Sequence, residues 1–165
     1  GAGHQVIRID SGGYGARNAQ GNQIARDSPG ERVLYLALHV NAGRGTYALA
    51  MHDHKSRGGA AAAELLAPAM GALEGISRAK VVPCESIGWT ARAHRCIRGI
   101  WRGPANISGV LLEPFFIDSA GGAHDQYREP AGLELVGQAI AAGALGYLGP
   151  AKKRKAKAKK AEAEE

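Results

Sequence analysis

The chain has little of what marks a disulfide scaffold, a collagen or a membrane span. It holds two cysteines, Cys84 and Cys96, too few for a disulfide framework and wrongly spaced for a zinc knuckle. They read as reduced thiols in the core or at the surface. Aromatic residues are scarce, at 5 % of the chain. The 24 glycines show no three-residue period, which excludes a collagen. No run approaches twenty apolar residues, so no membrane-spanning helix is expected. The first residues, Gly1-Ala2-Gly3-His4-Gln5, lack a basic segment followed by an apolar one, so no secretion signal is expected.

What is present is enough apolar sequence, 45 % of 165 residues, for one domain with a real core. Net charge is +6, but residues 151–165 carry seven basic and three acidic side chains, which leaves +2 for residues 1–150. We therefore divide the chain into a nearly neutral domain over 1–150 and a Lys/Ala/Glu tail over 151–165. Such a tail is disordered or helical, has nothing to bury, and offers weak contact to polyanions.

The organising stretch is Val33 to Ala42, an apolar run between Pro29-Gly30 and Gly43-Arg44-Gly45, read as a strand buried on both faces. It ends in His39 and Asn41. Strand ends are where α/β sheets hold ligands, so His39 is either a site residue or a satisfied histidine at a strand terminus. Further strands are expected over 4–10, over 46–51 and over 109–117, with a short one at Val81-Val82. Helices are expected over 14–26, from an N-cap at Ser56 to about Leu73 with a kink or restart at Pro68, and over 129–148 with Leu133, Val136, Ile140 and Leu145 inward. This alternation predicts an α/β fold, a mixed, mostly parallel sheet flanked by helices.

Three clusters invite chemistry. His52 and His54 would point the same way on an extended backbone, as half of a metal site or as a polar loop. Glu113 interrupts an apolar run, where a carboxylate needs an arginine partner, hydrogen bonds or a metal. Arg92, Arg95, Arg98 and Arg102 recur at helical spacing, as a phosphate-contacting or a solvated face.

The order Arg17-x-x-x-Gly21-Asn22, then a strand ending His39-Val40-Asn41-Ala42, then Gly45-Thr46-Tyr47, then Leu111-Leu112-Glu113-Pro114-Phe115-Phe116 and a closing helix resembles the zinc-dependent N-acetylmuramoyl-L-alanine amidases over residues 4–148. The resemblance implies hydrolysis of the amide between N-acetylmuramic acid and L-alanine in peptidoglycan, by a lytic enzyme of a phage or bacterium acting at the cell wall. It implies Zn²⁺ as cofactor, His39 as a zinc ligand, Glu113 as the catalytic carboxylate and Asn41 as a residue orienting the strand end or the substrate. The family's Gly-His-Gly-Gly strand and the glutamate of its following helix have no counterpart here, as if the chain began at the family's second strand. His4, His52 and His54 are then the candidates to complete the metal site. The alternative is a catalytically inactive amidase-fold protein that binds cell wall or plays a structural part. A nucleic-acid-associated protein using the tail and the arginine face is the third reading.

Overall fold

The computed structural model describes residues 4–118 and 123–150, and the tail at 151–165 lies outside the described residues. The elements are α1 (Tyr14–Asp27), β1 (Val33–Leu38), β2 (Tyr47–Asp53), α2 (Arg57–Gly71), β3 (Arg78–Cys84), α3 (Ala91–Ile97), β4 (Ile107–Glu113), α4 (Ala123–Tyr127) and α5 (Pro130–Leu148). The fold is α/β, with a mixed four-stranded sheet in the order β1-β4-β2-β3.

The sheet is not the mostly parallel one expected. β1 and β4 run one way and β2 and β3 the other, so the central β4–β2 pair is antiparallel. The reason lies in the link between β1 and β2, residues 39–46, which contains no helix. A parallel crossover takes a dozen or more residues, so this short link returns the chain in the opposite direction. The helix–strand alternation breaks at that one place.

β1 is an edge strand and only half buried, rather than covered on both faces. The central strand β4 is buried almost throughout, up to Glu113. Residues 4–10 form no strand, and Val6 and Ile7 stand exposed. His4 Nε2 donates to the Gly149 carbonyl beyond α5 at 3.0 Å, while Tyr14 at the start of α1 lies beside His39. The segment therefore passes the length of β1 without joining its ladder. The other edge, β3, carries Arg78, Lys80 and Pro83, residues that discourage edge pairing; β1 carries none.

Helices cover both faces. On one face α2 lays a stripe of Gly59, Ala62, Ala63, Leu66, Ala67 and Met70 against Ala48, Ala50, Val110 and Leu112. Ser56 Oγ accepts from Gly59 N at 2.9 Å and caps the helix as its sequence suggests. α2 runs as one helix through Pro68, because its buried stripe continues on both sides of the proline. On the other face α3 packs Cys96 and Ile97 over Leu49, Met51, Cys84 and Leu111, and α1 lies beside it. Gly21 lets α1 approach: a Cβ there would sit 2.8 Å from the Tyr35 ring. Asn22, next in the chain, donates to the Gly99 carbonyl at 2.9 Å.

α5 is long and apolar enough, by length and composition, to cross a membrane, a feature that counting apolar runs passed over. Here it lies against α2. Of the four residues expected inward, Val136 is buried and Ile140 packs against the core, but Leu133 and Leu145 are exposed, and Gly132 and Gly143 are buried in their stead. The cause is close helix packing: a Cβ on Gly143 would lie 2.8 Å from Leu66 Cα. We expect Gly143→Val to destabilise the domain by about 1–3 kcal/mol, as overpacking does, read as a lower midpoint in urea unfolding. An unchanged midpoint would show that the α2–α5 contact is loose.

Candidate functional site

The sheet carries polar side chains at two opposite ends of the face covered by α1 and α3. The antiparallel β4–β2 register separates them. Leu38 pairs with Leu112, so His39 stands beside Glu113, and His39 N donates to the Leu112 carbonyl at 2.9 Å. Glu113 itself pairs across with Leu49 on β2. Asp53 lies four residues further along β2, which is about 13 Å at ~3.3 Å per residue.

At the first end, His39 Nε2 is 3.8 Å from Cys96 Sγ and its ring lies 6.3 Å from that of Tyr14. Burial and the nearby Arg17 guanidinium lower the His39 pKa, which keeps the imidazole neutral and its lone pair available. Burial raises the Glu113 carboxyl, and no arginine or lysine salt bridge involves it among the described residues. That leaves the carboxyl poised to hold a proton above the ordinary carboxylate range. Arg17 Nε is buried without a hydrogen-bond partner, so one cationic donor at this end is unspent. Asn41 holds the strand end: its Oδ1 accepts from Ala42 N at 2.8 Å, and its backbone bridges to Phe116. Gly45 follows because the Phe116 ring fills the space a Cβ would take.

At the second end, Asp53, His54 and His94 place one donor atom each within 4.8 Å of one another, a group that could hold a metal ion. His94 Nε2 donates to Asp53 Oδ2 at 2.7 Å. His54 Nδ1 donates to the Cys84 carbonyl at 3.0 Å, and His54 N donates to the same oxygen at 3.1 Å. Between the two ends lie the thiols. Burial, then the charges of Asp53 and Glu113, push Cys84 up to about 12, and burial likewise raises Cys96. Both stay protonated thiols, free of a disulfide.

The expected ligands therefore do not assemble around His39. His4 is held at Gly149, next to the start of β1 rather than its end. His52 is buried on the α2 face, its Nδ1 donating to the Asp53 carbonyl at 2.9 Å, with Gly59 of α2 packed close to its Cβ. His54 joins Asp53 and His94 at the far end. The two histidines of the 52–54 pair do not share a face because β2 ends at Asp53. Asp53 and His94 do not stand out in the sequence: Asp53 sits between two more conspicuous histidines, and His94 lies among arginines. A small signal was there, since His94 falls on the buried side of the same stretch as Cys96 and Ile97. The arginines Arg92, Arg95, Arg98 and Arg102 are exposed.

No family model, curated protein or solved structure matches the chain.

Glu113 gives a test independent of any activity. Its raised pKa means that the folded state holds this proton more tightly than the unfolded chain, so the stability it contributes is present at low pH. That stability is lost as pH rises from the ordinary value of 4.5 through the raised folded value. We expect Glu113→Gln to be more stable than the parent at pH 7, with the difference vanishing near pH 4 in urea titrations. A variant less stable at pH 7 would mean that the ionised carboxylate is compensated by a partner.

Proposed function

We propose that the chain is a peptidoglycan amide hydrolase of the N-acetylmuramoyl-L-alanine amidase type, working at the His39–Glu113 end of the sheet. The observation that carries this reading is the parallel β1–β4 register, whose last pair, Leu38 with Leu112, brings His39 and Glu113 to the same end of the sheet, two of the residues to which the family resemblance gives a role. Glu113, desolvated and without a salt-bridge cation, takes a proton from attacking water and returns it to the departing amine of L-alanine. Arg17, with a buried and unspent Nε, holds an oxygen of the substrate, either the scissile carbonyl or a carboxylate. Asn41 fixes the strand end that carries His39.

The family's zinc supplies carbonyl polarisation and an acidified water. Such a centre takes three protein ligands. Around His39 the described residues offer the Cys96 thiol, kept protonated by burial, and the Glu113 carboxyl. That donor set does not hold a catalytic zinc by itself. The same shortfall favours a second reading, an amidase-fold protein that binds peptidoglycan without cleaving it.

The two readings part in one assay on purified cell walls. The hydrolase clears wall turbidity, and Glu113→Gln lowers the rate by about 10²–10⁴-fold, the usual worth of a general acid–base group. His39→Ala does the same while co-sedimentation with the walls persists. A protein that sediments with walls but never clears them is the binding form. One that does neither removes peptidoglycan from the account.

A further inference from the structure

Asp53 is 1 % exposed and has no lysine or arginine partner among the described residues. The nearest ammonium in sequence, Lys55, lies over the Trp101 ring instead, 5.7 Å from its centroid. A buried carboxylate without a fixed cation is costly, and the charge has to be met by imidazolium or by a bound ion. Its surroundings are otherwise built to hold it still. Lys55 N donates to Asp53 Oδ1 at 2.9 Å, and Ser56 N donates to the Asp53 carbonyl at 2.8 Å.

We propose that Asp53, His54 and His94 form a divalent metal site, separate from the His39–Glu113 end, that clasps the end of β2 to α3. The argument rests on donor chemistry and on how the donors are fixed. One carboxylate and two imidazoles are a set that zinc and other first-row divalent cations take, with room for a water or a further ligand. The His54 nitrogen near Asp53 is Nδ1, 3.9 Å from Asp53 Oδ1 and 3.0 Å from the Cys84 carbonyl; a cation bound there displaces the hydrogen bond to Cys84, and the ring then carries its hydrogen on Nε2. His94 currently gives its proton to Asp53 across 2.7 Å. A cation takes the place of that proton, and the ring then carries its hydrogen on Nδ1, so no net proton is needed from elsewhere. α3 is held for this from its first turn, where His94 N donates to the Thr90 carbonyl at 2.8 Å and Thr90 Oγ1 accepts from Glu85 N at 3.1 Å. His54, with its side chain 35 % exposed, is the side from which an ion enters; Asp53 and His94 lie behind it. This site stands whether or not the chain is an amidase.

The test uses Zn²⁺ alone, chosen because it is redox-inert, added to metal-stripped protein and followed by calorimetric titration and thermal unfolding. The parent takes up zinc, and its melting temperature rises by about 5–10 °C when free zinc is a hundredfold above Kd. His54→Ala and His94→Gln each bind one zinc fewer than the parent and lose most of that rise. His39→Ala keeps both. If His94→Gln fails to fold, by far-ultraviolet circular dichroism, His54→Ala decides alone, since its side chain is partly outside. Equal zinc uptake in parent and His54→Ala overturns the site, as does no uptake at all. Zinc lost only in His39→Ala also overturns it and places the ion at the other end of the sheet.

Discussion

The length of one connection governs where this protein keeps its chemistry. Residues 39–46 join β1 to β2 without a helix, too few for a parallel crossover, so β2 must run against the strand beside it. In a parallel arrangement the residues after β2 would reach the same end of the sheet as His39. The reversal sends Asp53 and His54 to the far end and brings Leu49 opposite Glu113. Two polar groups result where the resemblance implies one metal site.

Each end is then conditioned by the same buried layer. The α3 face seals Cys84 and Cys96 between the ends, and the low dielectric there raises both thiols and Glu113 together. The price is a carboxyl that weakens the fold when ionised, and sites that hold such groups commonly accept that exchange for reactivity. At the far end the same burial isolates Asp53 from lysine and arginine, so that among the described residues only imidazole nitrogens and backbone N–H groups meet its carboxylate.

Much of the fold could be read from pattern. β1, β2 and β4 are apolar runs bounded by glycine and proline, and α2 announces itself through Ser56 and a stripe at helical spacing. Strand direction could not be read that way, because it depends on what a connection leaves out. α5 misled for a related reason: its buried side is chosen by how near glycine lets it come to Leu66, not by where its leucines fall. Residues 4–10 have the composition of a strand but no ladder, since strand formation is settled by a neighbour's hydrogen bonds and not by propensity alone. Of the site, His39, Asn41 and Glu113 stood out as polar residues in apolar strands. Asp53 and His94 did not, because their significance is a 2.7 Å contact between positions 41 residues apart.

The most direct measurement of the central claim is mass spectrometry of the soluble products from purified cell walls incubated with the protein. Hydrolysis at the His39–Glu113 end yields stem peptides with a free L-alanine amino terminus and glycan strands whose lactyl groups end in carboxylates. Products cleaved within the glycan or between other residues of the peptide, or no soluble products at all, would contradict it.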